Sequence, residues 1–474
     1  MSAGSALVWF RRDLRLSDNP ALRRAVDENE TIIPVFIHDD DEGEWTHGAA
    51  SRWWLHHSLA ALDQALRSKG SRLVVRRGEP LAVLRELAGD TGADSVYWNR
   101  LYDPHVVQRD TVVKEGLAEA GIRARSEKGG LLLEPWEIAT GSGDPYRVFT
   151  PFWRRAQQNL PPPDALEAPH TARPPDSWPA SLHLAELGYL PAVDWAEGLR
   201  EHWTPGEAGG RQRLETFADG ALRDYDETRD IPAVDGVSRL SPHLHFGEIS
   251  PRHAWHRICA RAEDYPDGTE AWLRELGWRE FAHHVLYHFP RTTNEPLYEK
   301  YRDFPWREDG KDMLRAWQRG RTGIPIVDAG MRELWRTGWM HNRVRMIVAS
   351  LLVKNIRLHW LAGARWFWDT LVDADLANNT MGWQWSAGCG ADAAPYFRIF
   401  NPVRQGERFD GDGSYVRRWV PELEHLPDRY VHEPWKLPAE EARRIGFTPG
   451  EDYPRPIVDL KQSRKEALEA LKSV

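Results

Sequence analysis

Apolar residues fall in two different rhythms along this chain. Up to about residue 130 they come in short runs, at 6–10, 31–37, 72–75, 95–98 and 122–124. Between the runs lie stretches of helical spacing at 55–66, 80–87 and 106–120. Ser17-Asp18-Asn19-Pro20 reads as a further helix start, a capping residue ahead of proline. Five short strands separated by helices predict an α/β, doubly wound parallel sheet, Rossmann-like, over 1–130. Such sheets hold ligands at the carboxyl ends of their strands. No Gly-x-Gly-x-x-Gly follows the first run, which argues against a standard dinucleotide site there. Residues 131–200 read as an inter-domain connector, since prolines at 161–163, 169, 174, 175, 179 and 191 punctuate a stretch with little periodicity. From 201 to 474 strand patterns nearly vanish. Helices are predicted over 210–225, 271–287, 324–338, 343–360 and 364–371, giving a mostly α-helical second domain.

Composition changes this picture in three places. The 474 residues hold 24 Trp against 13 Tyr and 14 Phe. Trp is large, oxidisable and a good stacking surface, so an excess of this size points to electron transfer or base stacking as well as core packing. Net charge is −9, which by itself argues against nucleic acid, but distribution matters more than the sum. Between Arg315 and Arg365 the only acids are Asp328 and Glu333, against ten bases. A basic surface and a run of solvated helix faces are both open readings of that stretch. Two cysteines, Cys259 and Cys389, exclude a disulfide framework and a Cys-rich zinc site. The apolar runs at 6–10 and 346–353 are too short for a signal peptide or a membrane span, so a cytoplasmic protein is expected.

The densest candidate chemistry lies between Asp373 and Trp385, which joins two carboxylates, Asp373 and Asp375, the amide of Asn379 and two indoles. Asn379 and Trp383 are four apart and share a helical face. Trp385 turns roughly 200° away at ~100° per residue. Glu275, Trp278 and Arg279 stand at i, i+3 and i+4, and Asn342 and Met346 are four apart, so each set also shares a face. Ser241-Pro242 has the form of a helix N-cap followed by proline, a place where unpaired N–H groups can meet a pyrophosphate.

These segments resemble the DNA photolyase/cryptochrome family. The resemblance rests on 373–402, on 8–20, on 238–247 (Ser-Arg-Leu-Ser-Pro-His-Leu-His-Phe-Gly), on Trp278-Arg-Glu-Phe281 and on 338–346 (Gly-Trp-Met-His-Asn-Arg-Val-Arg-Met). It implies FAD, active as FADH⁻, contacted by Tyr225, Ser238, Arg239, Leu240, Ser241, Arg279, Arg345, Asp373, Asp375 and Asn379. Val237 stands where many members have Thr. It implies that Glu275, Trp278, Asn342, Met346, Asn379 and Trp385 serve catalysis, and that Trp306, Trp360 and Trp383 form an electron chain. UV-damaged DNA is the implied partner, met by Arg229, Trp278, His341, Asn342, Arg343, Arg398 and Gln405. The implied enzyme is a monomer with no obligate protein partner, no membrane and no metal. Within the family the chain resembles most the class I-type branch that repairs cyclobutane pyrimidine dimers. The (6-4) branch has two histidines where this chain has Asn342 and Met346, and cryptochrome-type photoreceptors often differ at the Asn379 position. The resemblance also implies an antenna chromophore, a reduced folate or a deazaflavin. One folate site of the family uses an Asn-Glu pair where this chain has His105-Val106.

Overall fold

The computed structural model describes residues 4–41, 43–169, 173–393 and 398–473. Residues 394–397, inside the longest family-like segment, lie outside that description. The predicted sheet is present. Strands β1 (Ser5–Phe10), β2 (Thr31–His38), β3 (Val74–Arg77), β4 (Ser95–Asn99) and β5 (Arg123–Glu127) pair in the order β3-β2-β1-β4-β5, all parallel. Helices α1 (Pro20–Glu28), α2 (Ala49–Ser68), α3 (Pro80–Thr91) and α4 (Pro104–Glu119) connect them. Asn19 caps α1 by accepting the Leu22 N–H, two residues inside the predicted start. Pro34 sits within β2 without disrupting the sheet, because it pairs with Val8 of β1 and the β3 ladder begins only at Val35.

The strand order reverses between β1 and β4, the point where doubly wound sheets open a crevice. Arg11 and Arg109 lie over the Trp9 ring at 4.5 and 5.1 Å and pair with Asp110 at 2.6 Å and Asp39 at 3.3 Å. Trp9 itself belongs to the buried core with Leu7, Val35, Val96 and Trp98.

The chain forms two compact units that interleave in sequence, where consecutive parts were expected. Unit one comprises residues 1–223, 238–290 and 372–377, and unit two 224–237, 291–371 and 378–474. Among the described residues, no helix is long and apolar enough to cross a membrane. The helix expected over 210–225 ends at Asp219, where Gly220 breaks it. The helix expected over 343–360 is also broken. It runs from Asn342 to Ser350, widens to a π turn at Leu351–Ile356, and stops at Arg357, whose φ of +63° turns the chain into a new helix at Trp360.

Candidate functional site

In unit one the site residues gather around α5 (Phe149–Ala156), α6 (Ser241–His245) and α7 (Pro266–His288). Helix α7 carries Glu275, Trp278 and Arg279 as the spacing predicts. Trp278 is stacked on Phe149, 3.8 Å between centroids and 9° from parallel, so one indole face is taken by the protein. The two helices approach this closely because position 277 is Gly, where a Cβ would lie 2.6 Å from the Trp153 ring.

Asp375 is buried. Its Oδ2 lies 3.3 Å from His245 Nδ1 and 3.8 Å from His283 Nε2. Burial alone would raise its pKa. The His245 hydrogen bond and the surrounding charges, Arg279 among them, outweigh burial and hold the carboxyl well below the usual carboxylate range. Burial brings Arg12 down to about 10, still a cation, and pushes His283 down to about 3, so that imidazole is neutral. His245 Nε2 and His283 Nδ1 are buried with no partner among the described residues. Orphaned polar atoms beside an ionised carboxylate suit a ligand that both donates and accepts hydrogen bonds. The ring edge and sugar hydroxyls of a flavin have that character, and the residues present fit it.

The segment 238–241 reads differently from the expectation. Helix α6 begins at Ser241 with Leu240 at the cap, one residue earlier than predicted, and is only five residues long. One turn sums few peptide dipoles, which weakens the dipole part of the pyrophosphate argument. Ser238 and Arg239 form an irregular turn, with Arg239 at φ +50° and the Ser238 carbonyl accepting Arg213 Nε at 2.9 Å.

In unit two, Arg229 lies over the Tyr225 ring at 5.6 Å. Five helices matter there: α8 (Pro325–Thr337), α9 (Asn342–Ser350), α10 (Trp360–Thr370), α11 (Leu376–Ala387) and α12 (Pro402–Phe409). His341 is 2% exposed and its Nδ1 caps α9 by accepting the Arg343 N–H at 3.2 Å. Its side chain supports the helix from inside. Asn342 is exposed and Met346 half-buried on the same helix. Arg343 pairs with Asp230 at 2.6 Å and lies over the Phe409 ring at 4.5 Å, while Arg345 Nε donates to the Met340 carbonyl at 2.7 Å. Arg398 is exposed, and Gln405 is half-buried on α12.

A pocket in unit two brings Met346, Trp385 and Arg398 together, lined also by Ser350, Lys354 and Phe400. Lys354 is the residue that sequence reasoning misplaced. It sits in the basic stretch 315–365, yet it is 1% exposed and its Nζ donates to the Ala387 carbonyl at 2.6 Å, fastening the end of α11. Burial pushes its pKa well below the usual lysine value. The apolar run at 346–353, directly before it, was the available signal.

The three predicted electron-chain tryptophans differ in exposure: Trp383 3%, Trp360 1%, and Trp306 half-buried. Trp383 rests against α10 at Gly363, where a Cβ would lie 2.1 Å from the indole. Gly363 is one turn beyond Trp360, so the two indoles address neighbouring parts of one helix. Asn379 donates from Nδ2 to the Ala364 carbonyl at 3.0 Å, which fixes its amide against that helix. Among the described residues, no group of three His, Cys, Asp or Glu side chains stands where it could hold a metal ion.

Residues 6–172 match the family described as DNA photolyase, and residues 272–473 the family described as FAD binding domain of DNA photolyase. The deoxyribodipyrimidine photo-lyase of Agrobacterium fabrum is 48% identical across 100% of this chain and 99% of its own length. Cryptochrome-1 of Arabidopsis thaliana is 39% identical across 99% of this chain and 70% of its own. The solved structure of a class III photolyase from Agrobacterium tumefaciens superposes with a TM-score of 0.96 at 48% identity, covering 100% of this chain and 98% of that one. The sequence likeness to class I-type members thus stands beside a solved relative described as class III.

Proposed function

This chain belongs to the DNA photolyase family, and from that membership we propose that it splits cyclobutane pyrimidine dimers in DNA under blue or near-UV light. It is a flavoprotein DNA-repair enzyme. Reduced FAD, when bound, supplies the electron that opens the dimer. Tyr225, Ser238, Arg239, Leu240, Ser241, Arg279, Arg345, Asp373, Asp375 and Asn379 would hold the cofactor. The lesion enters flipped out of the duplex, the recognised route for photolyases as a class. Glu275 hydrogen-bonds the dimer, and Trp278 and Trp385 offer it aromatic faces. Asn342 and Met346 complete its seat. Arg229, Arg343, Arg398 and Gln405 grip the backbone, and His341 contributes by holding α9 in place. Trp383, Trp360 and Trp306 pass electrons inward from the surface. We place the enzyme in the cytoplasm, as a monomer, with a folate or deazaflavin antenna.

The observation that supports this reading best is the pocket that unites Met346, Trp385 and Arg398. The cleft is too small to hold a base, but an apolar thioether and an indole beside an arginine at its rim are the contacts that a neutral pyrimidine pair next to a phosphate needs. They lack the acid–base histidines that (6-4) repair would need. The test is illumination of the chemically reduced protein with DNA carrying defined thymine dimers or (6-4) adducts. Restoration of the dimer alone is expected. Restoration of the (6-4) adduct, or of neither lesion, would sink the proposal, the second outcome favouring a cryptochrome-like sensor.

A further inference from the structure

The proposed electron path ends at two indoles whose rings both meet one imidazole. His359 lies 5.2 Å from the Trp306 ring, edge-on at 62°, and 5.7 Å from the Trp360 ring, at 28°. His359 also caps α10, its Nδ1 accepting the Leu361 N–H at 3.2 Å. That bond needs a lone pair on Nδ1, so the capping ring is neutral with its proton on Nε2. We propose that His359 is a pH-sensitive positioning residue for the Trp306-to-Trp360 step: neutral, it lets the electron pass, and protonated, it stops it. This rests on the reading of Trp306, Trp360 and Trp383 as an electron path.

In that step one electron leaves Trp306 and fills the hole on Trp360. Trp360 returns to its neutral state, Trp306 is oxidised by one electron, and a thiol in solution then gives up one electron to restore it. A positive hole therefore sits first on one ring and then on the other, and both are in contact with His359. An imidazolium there raises the cost of placing the hole on Trp360 at all, and it lies nearer the Trp306 ring, where the hole arrives, than the Trp360 ring, which it leaves. Protonation at Nδ1 also turns the cap's acceptor into a donor facing the Leu361 N–H, which loosens the turn that begins with Trp360. Both effects oppose the step.

The charges around the ring favour its neutral form. Burial is the first influence and Arg365, on the same helix, the second, and both lower the histidine's pKa. Arg307, beside Trp306, is tied to Asp309 at 3.6 Å and to the Ile356 carbonyl at 3.1 Å, and Arg357 is tied to Glu466 at 3.4 Å. The ring is thus neutral at ordinary pH and takes its proton only on the acid side of the usual histidine range.

The test follows thiol-dependent photoreduction of bound oxidised FAD against pH in wild type, His359→Asn and Trp306→Phe. Nitrogen-labelled histidine NMR of the same protein, in the dark, gives the His359 titration independently. Wild type should lose roughly tenfold or more in rate on acidification, with a midpoint matching the His359 titration. His359→Asn keeps a capping side chain but cannot be protonated, so its profile should be flat. A flat wild-type profile, an acid fall retained in His359→Asn, or midpoints that disagree would overturn the inference. Normal photoreduction in Trp306→Phe would overturn the electron-path reading instead. Should His359→Asn fail to fold, agreement between the wild-type midpoint and the NMR titration supports the inference and disagreement overturns it.

Discussion

Asp375 in unit one and Asp328 in unit two are both carboxylates removed from water, and their surroundings treat them in opposite ways. Asp328 opens α8 and accepts the Thr322 N–H and hydroxyl at 2.7 Å each, the Gly323 N–H at 3.0 Å and the Tyr453 hydroxyl at 2.5 Å. Burial still leaves its pKa raised, because neutral donors compensate a buried charge only in part. Arg332, whose charge favours the ionised form only weakly, is bound to Glu422 at 2.7 Å. Asp375 instead has arginines and histidines around it and stays ionised, beside two imidazole nitrogens with no partner among the described residues. Asp328 is satisfied from within and ties the chain near Tyr453 to α8. Asp375 is charged beside polar atoms that no described residue satisfies. A fold keeps such a costly arrangement where the charge is used.

The sharpest way to break this contrast is Asp375→Asn. It removes the anion that accepts from His245, while Arg12 and Arg279 keep Asp103 and Glu280 as partners. Flavin retained per chain after gel filtration should fall at least roughly tenfold, since even 1.4 kcal/mol of lost binding is a factor of ten. Unchanged flavin content would make Asp375 scaffold like Asp328. The pH sign also differs between the two regions. Asp375 is lowered, so its contribution is present above the ordinary carboxylate range and is lost as pH falls through the lowered value.

Glu280 sharpens the comparison because it lies in unit one, beside Arg279, yet shares the fate of Asp328. Burial pushes its pKa from 4.5 to about 7, although Arg279 is 3.2 Å away and the Leu132 and Leu133 N–H groups donate to it at 2.9 and 3.1 Å. Its folded pKa is raised, so the stability it contributes is present below its ordinary value and is lost as pH rises through the raised one. The loss across that window reaches up to about 3 kcal/mol. Glu280→Gln keeps an acceptor for both N–H groups and should melt at a nearly constant temperature across the window while wild type declines. Parallel melting curves would show that Glu280 stays ionised.

The sequence disclosed these regions unequally. The five strands and the shared face of Asn379 and Trp383 follow from local periodicity and were legible. The cap at His359 and the turn at Arg357 were not, because a positive φ at a non-glycine residue is imposed by tertiary packing. Gly363 gave no signal either: its role as the seat of Trp383 exists only once α10 and α11 meet. The partners of Asp375, His245 and His283, lie about 130 and 90 residues away in the chain, beyond the reach of spacing arguments. Lys354 misled for a related reason, since a lysine in a basic run reads as surface until a distant carbonyl accounts for its burial.

Asp328 offers the next smaller effect. Tyr453→Phe removes one of its four hydrogen bonds and should cost about 1–3 kcal/mol in chemical denaturation, leaving flavin content untouched. Loss of flavin in that variant would erase the division between a scaffold carboxylate and a site carboxylate.

The smallest effect concerns charges at the other extreme of exposure, the arginines proposed to grip DNA. Arg398 is exposed, and Arg398→Ala should lower the slope of log K against log salt by roughly one unit. Arg343 is not an isolated cation, because it pairs with Asp230 at 2.6 Å and lies over the Phe409 ring. To meet a phosphate it must share or exchange that partner. Arg343→Ala does more than delete a positive charge, since it leaves the Asp230 carboxylate unneutralised where a phosphate is to be bound. Only one charge is lost, so its slope should fall by roughly one unit, as for Arg398→Ala, while its affinity falls further because the bare carboxylate repels the phosphate. Asp230→Asn in the wild-type background should strengthen binding to damaged and undamaged DNA alike, and in the Arg343→Ala background it should recover part of the lost affinity. Fluorescence anisotropy over a salt series measures all four variants. Equal affinity losses for the two arginine variants would show that Asp230 lies outside the phosphate's field, and an unchanged slope in Arg343→Ala would remove Arg343 from the DNA contact altogether.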